Sequence, residues 1–127
     1  MTAAYQRKEK IMTQSLAQMT CVPCKGGTPP MNRDQIATLH PEVTGWEVID
    51  DKKLSRNFRF KNFATALGFV NRIGEVAEQQ GHHPDLCFGW GYVNVEVWTH
   101  KIDGLTESDF IFAAKIDVLA QDAEGLK

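Results

Sequence analysis

Three of the four histidines in this chain could carry acid–base chemistry at neutral pH. His82 and His83 are adjacent and stand directly before Pro84, and His100 follows later in the chain. Imidazole is the side chain best suited to take up and release protons near pH 7. Glu78 precedes His82 by four residues, so on a continuous helix its carboxylate would lie beside that ring, orient it and favour its protonated form. The spacing therefore predicts a general acid–base pair of Glu78 and His82.

The same residues allow other interpretations. Histidines near a helix C-terminus are favoured by the helix dipole alone, and an exposed Glu–His pair at this spacing contributes only about 0.3–0.5 kcal/mol. Asp109 could serve only as the capping partner of Thr106. Three histidines and a carboxylate could also hold zinc, although adjacent histidines lack the paired helical spacing of known zinc enzymes. Acid–base chemistry without a metal is the favoured hypothesis.

The first half of the chain predicts a short helix followed by a hairpin. Asn32 and Gln35 have the spacing of a capping box, and Pro41 is expected to end the helix. The stretches "GWEVID" and "LSRNFRF" are typical of strands. In the second stretch, apolar and polar residues partly alternate. Residues 51–53 are expected to join these two strands into a hairpin.

The second half repeats this order with longer helices. From Asn62 to Gly81 the apolar residues follow a helical period, and one buried stripe is expected over Phe63, Ala66, Leu67, Val70, Ile73 and Ala77. The stretch "LCFGWGYVNVEVWTH" predicts a second hairpin, with Trp90 in a structural role. A last helix begins after Thr106, with an apolar face of Phe110, Ala113, Ala114, Ile116 and Leu119.

These elements predict a single α+β domain. The order α-β-β-α-β-β-α favours a two-layer structure in which a four-stranded antiparallel sheet carries three helices on one face. Residues 21–127 are expected to form this domain. Residues 1–20 lack periodic apolar content and are expected to form a mobile N-terminal extension.

Composition narrows the function and the location. A formal net charge of −2 and a pI near 6.1 give no basic excess for direct nucleic-acid binding. No apolar run resembles a signal peptide or a membrane span, so the expected location is the cytoplasm. Cys21 and Cys24 have the spacing of half a zinc ribbon or of a redox dithiol, but no second pair follows. A loop with reduced thiols is the favoured interpretation of this pair.

The full constellation, Glu78-x3-His82-His83-Pro84-x5-Trp90-x9-His100-x8-Asp109, resembles the signature of the pterin-4a-carbinolamine dehydratase family. The flanking stretches "GWEV", "FRFKNFATALGFVNRIGEVAE" and "THKIDGLTESDF" are similar as well, so the resemblance runs from about Cys21 to Ile116. The lead-in "CVPCKGG" resembles that of microbial and plastid members.

The resemblance implies an activity and a set of site residues. The reaction is loss of water from 4a-hydroxytetrahydropterin to give quinonoid dihydropterin, and it needs no metal or organic cofactor. His82, His83 and His100 match the active-site histidines of the family, and Glu78 matches their supporting carboxylate. We expect His82 to be the acid–base group oriented by Glu78, while His83 and His100 contact the 4a-hydroxyl.

Four further residues are expected at the substrate. Asp109 matches a distal aspartate of the family, which either orients a histidine or caps its helix. Trp46, Trp98 and Thr99 are candidates for lining the pterin pocket, where a flat heterocycle can stack on an aromatic face. Core packing is the alternative interpretation of both tryptophans.

The resemblance also leaves a non-catalytic function open. Relatives of this fold include a dimerisation cofactor of a transcription factor and proteins linked to assembly of the carbon-fixing carboxylase, and the latter tend to lack the catalytic histidines. Their presence here favours the enzyme. Expected partners are the pterin, an aromatic amino acid hydroxylase in the same pathway of tetrahydrobiopterin recycling, and further copies of this chain in a homodimer or homotetramer, with no membrane and no nucleic acid.

Overall fold

Four antiparallel strands form one sheet in the order β1-β2-β4-β3. The computed structural model describes residues 15–22 and 27–127. Within them the strands are β1 (Glu47–Ile49), β2 (Lys53–Arg59), β3 (Asp85–Gly89) and β4 (Tyr92–Val97). The apolar residues of the two central strands, Leu54, Phe58, Val93, Val95 and Val97, are buried on one face, and Ser55, Asn57, Asn94 and Glu96 lie on the other. Arg56 shares the buried face, opposite Val95, and its guanidinium donates to Asp117. The predicted four-stranded sheet is confirmed.

Both hairpins form, but the first turn lies earlier than predicted. Strand β1 ends at Ile49, and Asp50 and Asp51 turn the chain with φ of 53° and 56° before Lys53 enters β2. Aspartate is among the few residues that tolerate two successive left-handed positions, which tight hairpins need. In the second turn the side chain of Trp90 is 72% exposed, so the structural role predicted for it is wrong.

In the described part of the chain three α-helices flank the sheet, and they begin where the capping signals predicted. They are α1 (Arg33–Leu39), α2 (Phe63–Gln80) and α3 (Glu107–Gln121). Asn32 and Gln35 form the predicted capping box, and the Asn62 side chain accepts from the Thr65 N–H. After α1 the chain continues as a 3₁₀ turn, His40–Val43, which accommodates Pro41. The predicted α+β domain is therefore confirmed.

The buried stripe of α2 is rotated from the predicted one. Ala66, Phe69, Ile73 and Ala77 are buried, whereas Phe63 and Leu67 are 43% and 39% exposed. The spacing of the buried residues still follows one helical face. Phe63 instead lies against Phe88 of β3, with ring centroids 5.5 Å apart. Periodicity alone did not distinguish these two overlapping stripes.

Helix α3 is buried on more sides than a single apolar face would allow. The predicted Phe110, Ala113, Ala114 and Ile116 are buried, and so are Ile111 and Phe112, whereas Leu119 is only partly buried. This happens because α3 packs against the sheet, against the 3₁₀ turn after α1 and against residues 16–18. Within the described residues, no helix is long and apolar enough to cross a membrane.

The packed domain begins before residue 21, where the sequence had placed its boundary. Residues 15–22, called the strap below, lie on α3. Leu16 is 7% exposed and the Lys115 ammonium donates to the Ala17 carbonyl at 2.8 Å. Residues 1–14, and Cys24 with its neighbours 23–26, lie outside the described residues, so the mobility predicted for the extension stays a prediction there.

The packing of the strap on α3 predicts that Cys21 and Cys87 differ in reactivity. Burial raises the pKa of the Cys21 thiol from 9.0 to about 11, and the side chain is 6% exposed, whereas Cys87 is exposed. Only the thiolate is alkylated at an appreciable rate, so at pH 8 the shift alone should slow alkylation of Cys21 about 100-fold. Iodoacetamide labelling followed by peptide mass spectrometry should detect Cys87 first.

The unfolded protein is the control for this prediction. In urea both cysteines should react at similar rates, because burial no longer separates them. Equal alkylation rates of Cys21 and Cys87 in the folded protein would contradict the burial of Cys21.

Candidate active site

The end of α2 and the end of β4 bring the histidines together. Gly81 follows α2 in a left-handed conformation, with φ of 63°, and turns the chain away from the helix axis. His82 and His83 therefore lie in a connection, which Pro84 leads into β3. Because β3 and β4 are antiparallel, with Asp85 opposite Glu96, the start of β3 lies beside the end of β4. His100 comes just after β4, in a 3₁₀ turn.

An open cavity of about 310 Å³ contains all three imidazoles. It is lined by Gly81, His82, His83, Trp98, Thr99, His100 and Lys101. Trp98 and Thr99 border the same cavity as the histidines, and that this cavity binds a pterin stays a prediction. A larger cavity of about 470 Å³, between the start of α2 and the C-terminal residues of the chain, contains no histidine.

His82 is held by a buried carboxylate from α3. Its Nε2 lies 2.6 Å from Oδ1 of Asp109, whose side chain is fully buried, while His82 itself is 14% exposed. Oδ2 of Asp109 accepts from the Thr106 N–H and from the Thr99 hydroxyl, each at 2.9 Å. Asp109 is therefore both the predicted capping residue and the residue that orients a histidine. Since it has no exposed surface, it lies behind His82 and does not line the cavity.

The predicted pair of Glu78 and His82 is wrong, because Glu78 binds the next histidine. Oε2 of Glu78 lies 2.6 Å from Nε2 of His83, and both side chains are largely exposed. The four-residue spacing requires a helix that continues through residue 82, but α2 ends at Gln80 and Gly81 reverses the backbone. The carboxylate thus reaches the ring one position further along.

His100 has a carboxylate neighbour, Asp85, that the sequence pattern did not predict. Oδ2 of Asp85 lies 3.7 Å from Nε2 of His100, and the ring of Trp98 stacks edge-on against the imidazole with centroids 4.2 Å apart. The signal that could have found Asp85 is its position: it opens β3 directly after His83 and Pro84, and the predicted hairpin places that end of β3 near the end of β4. Each of the three imidazoles therefore has its own carboxylate.

The hydrogen bonds of Asp109 determine which nitrogen of His82 carries a proton. An ionised carboxylate only accepts hydrogen bonds, so Nε2 of His82 must be the donor. Nδ1 is then the nitrogen that remains to accept a proton when the ring is neutral and to donate one when it is charged. This arrangement suits a group that alternates between base and acid.

Trp46 lies apart from the cavity. Its side chain is 1% exposed, and its indole N–H donates to Oδ1 of Asp117 at 2.8 Å, which also accepts from Arg56 at 2.8 Å. Burial raises the pKa of the Asp117 carboxyl, against the lowering effect of these two partners. Trp46 therefore joins β1 to α3 in the core, and the expectation that it lines the pterin pocket is wrong for the cavity of the histidines.

The described residues contain no group of three or more His, Cys, Asp or Glu side chains close enough to hold a metal ion. In the cavity each imidazole faces a different carboxylate instead of converging on a common point.

Comparison with known proteins identifies the family. The sequence model of the family described as pterin 4 alpha carbinolamine dehydratase matches residues 29–119. The chain belongs to the pterin-4-alpha-carbinolamine dehydratase family. A family member from Rubrobacter xylanophilus is 61% identical over 104 residues, which cover 82% of this chain and 97% of that protein. One from Alkaliphilus metalliredigens is 52% identical over 107 residues, covering 81% and 94%. In the names of both relatives, the activity of a pterin-4-alpha-carbinolamine dehydratase is given as a proposal.

Two solved structures share the dehydratase fold. A transcriptional coactivator/pterin dehydratase from Brucella melitensis has a TM-score of 0.67 and 30% identity, covering 72% of this chain and 98% of the other. A pterin dehydratase-like protein identified as a RuBisCO assembly factor in the alpha-carboxysome has a TM-score of 0.52 and 28% identity, covering 60% and 89%.

The pair of His82 and Asp109 predicts a fixed tautomer. Long-range ¹H–¹⁵N NMR spectra should show neutral His82 protonated on Nε2, because Asp109 can only accept there. Asp109→Asn should relax this preference and lower the free energy of unfolding by about 1.5–3 kcal/mol, since a buried charge-assisted hydrogen bond is lost. Urea unfolding at pH 7 measures the second effect.

Glu78→Gln is the matched control, because it makes the same change from carboxylate to neutral amide at the partner of His83. Glu78 and His83 are both largely exposed, so the free energy of unfolding should change by no more than about 0.5 kcal/mol. Equal losses in the two variants would contradict the distinction between the buried and the exposed pair.

Proposed function

We propose that this chain catalyses the dehydration of 4a-hydroxytetrahydropterin to quinonoid dihydropterin by histidine acid–base catalysis. Family membership supports the reaction class. The observation that carries the proposal is that three imidazoles, each beside its own carboxylate, line one open cavity.

The reaction needs only proton transfers. The lone pair of the ring nitrogen next to carbon 4a forms a C=N bond and expels the 4a-hydroxyl, an acid protonates the leaving oxygen to give water, and a base removes the proton from that nitrogen. Imidazoles near pH 7 can perform both transfers, and each positioned group typically contributes about 10²- to 10⁴-fold. We propose no metal or organic cofactor in this step.

His82 is proposed as the principal acid–base group, with Asp109 in the orienting role that the sequence had assigned to Glu78. The buried carboxylate keeps the proton on Nε2 and stabilises the imidazolium that forms when Nδ1 takes up a proton. His83 and His100 are proposed to contact the 4a-hydroxyl and to exchange roles for the opposite stereoisomer. Their exposure lets them exchange protons with water between turnovers.

Trp98 and Thr99 are proposed to line the pterin site. Both border the cavity, and its volume of about 310 Å³ is near the lower end of the range for small-molecule sites. One face of Trp98 already carries the Lys53 ammonium, 4.8 Å from the ring centroid. The pterin would then use the part of Trp98 that is open to the cavity.

The cellular role we propose is tetrahydropterin recycling in the cytoplasm, downstream of an aromatic amino acid hydroxylase. We also propose a homodimer or homotetramer. β1 and β3 are edge strands of the sheet, and Phe63 and Leu67 expose apolar surface on α2, beside β3. Light scattering should give a mass of two or four times 14.3 kDa, and a mass of 14.3 kDa would contradict this assembly.

The activity can be tested by following the ultraviolet absorbance of freshly generated 4a-hydroxytetrahydropterin. The wild type should accelerate its decay, with or without chelator. His82→Ala and His100→Ala should lose about 10²- to 10⁴-fold of this acceleration, because each removes a proton-transferring group. Loss of activity with chelator would contradict metal-free catalysis.

His40→Gln is the matched control, because His40 is the histidine outside the cavity and bonds the Trp46 carbonyl through Nε2. Its rate should stay close to that of the wild type. If the folded wild type decays the pterin no faster than buffer, the dehydratase proposal is wrong. The chain would then be a binding module, a class represented among its structural neighbours by the RuBisCO assembly factor.

A further inference from the structure

The strap, residues 15–22, reaches the two segments that carry His82 and Asp109. It lies N-terminal to residues 29–119, the part of the chain matched by the family. Leu16 is buried, and Lys115 on α3 holds the Ala17 carbonyl at 2.8 Å. The strap therefore follows α3 toward its N-terminus, where Asp109 lies.

At its C-terminal end the strap makes three backbone hydrogen bonds to side chains. The Cys21 N–H donates to Oε1 of Gln80 at 3.0 Å. The Val22 N–H donates to Oγ of Ser108 at 2.8 Å, and that hydroxyl donates back to the Val22 carbonyl at 3.1 Å. The Cys21 thiol lies 3.6 Å from the Ser108 carbonyl. Two consecutive strap residues, Cys21 and Val22, are thus hydrogen-bonded to two different helices, α2 and α3.

Both receiving residues are neighbours of the active-site pair in sequence. Gln80 is the last residue of α2, two positions before His82, and Ser108 directly precedes Asp109. Apart from the strap, these two segments are joined here by the 2.6 Å contact between His82 and Asp109 and by the His82 ring, which lies 5.7 Å from the Phe112 ring between centroids. The strap therefore adds a further connection between the same two segments, next to the His82–Asp109 contact.

We propose that the strap is a positioning element for the His82–Asp109 pair and that Gln80 and Ser108 are the positioning residues through which it acts. This inference rests on the proposed dehydratase activity for its consequence in catalysis. The physical reason is that proton transfer depends steeply on geometry, so that a displacement of about 1 Å can cost about 100-fold in rate. A loosened strap would let the end of α2 move relative to the start of α3.

Ser108→Ala and Gln80→Met test the proposal, because each removes the side-chain hydrogen bonding to one strap residue. Neither Ser108 nor Gln80 lines the cavity of the histidines. We expect kcat to fall about tenfold or more in each variant, with KM changing less than about twofold, since misplacement of His82 affects the proton transfer more than pterin binding. Ser108→Thr keeps the hydroxyl and should restore most of the rate.

The second measurement does not depend on activity. Long-range ¹H–¹⁵N NMR should show that His82 loses part of its preference for the Nε2 proton in Ser108→Ala and Gln80→Met, and that Ser108→Thr recovers it. Lys115→Met is the matched control: it also removes a strap hydrogen bond, but at Ala17, away from the pair. It should leave the tautomer preference of His82 unchanged and kcat within about twofold of the wild type, while it lowers the free energy of unfolding.

The outcomes separate the two proposals. If Ser108→Ala and Gln80→Met are folded and change neither the His82 signal nor kcat, the strap only packs and this inference is wrong. Equal effects of Lys115→Met and Ser108→Ala on the His82 signal would also overturn it, since docking of the strap as a whole would then be the cause. If the His82 signal changes as expected but even the wild type does not dehydrate the pterin, the strap positions the pair and the dehydratase proposal fails.

Discussion

The buried carboxylate of Asp109 is the group on which the rest of the site depends. A charge without contact to water is costly unless it is fully hydrogen-bonded, and Asp109 meets this requirement with three donors from three places: the Thr106 N–H at the start of α3, the Thr99 hydroxyl after β4, and Nε2 of His82 after α2. The same group therefore caps a helix, joins the sheet to that helix and orients a catalytic candidate. These functions cannot be changed independently, because removal of any one donor leaves part of a buried charge unsatisfied.

The three histidine–carboxylate pairs differ in their contact with water, and this difference suits a reaction that consists of proton transfers. Coulomb interactions are stronger and less screened where water is excluded, so the interaction of His82 with Asp109 persists while that ring gains and loses a proton. The pairs of His83 with Glu78 and of His100 with Asp85 are more than half exposed. Their rings can exchange protons with solvent. One fixed ring and two exchanging rings can serve a substrate whose leaving hydroxyl is presented from either face.

Local signals predicted the elements, and contacts between distant residues defined the site. The caps at Asn32, Asn62 and Thr106 and the terminator Gly81 could be predicted because each involves residues within a few positions of one another. The pairing of Glu78 with His82 failed at the same Gly81, since a helix that ends there cannot support a four-residue contact across it. The contact of Asp109 with His82 spans 27 positions, and that of Asp85 with His100 depends on the register of β3 on β4. Neither can be predicted from spacing alone, and the aromatic character of Trp46 did not distinguish a core position from a pocket wall.

The strap shows why a matching motif does not by itself define the geometry of this site. Residues 29–119 include all three histidines and their carboxylates, yet Gln80 and Ser108, which flank the His82–Asp109 pair, direct polar side chains toward Cys21 and Val22 outside that range. Two chains with the same histidines could then hold the central pair with different precision, depending on what lies against the N-terminus of α3. Because proton transfer responds to displacements of a fraction of an ångström to about 1 Å, differences in rate between such chains would arise from the segment before the motif as well as from the motif.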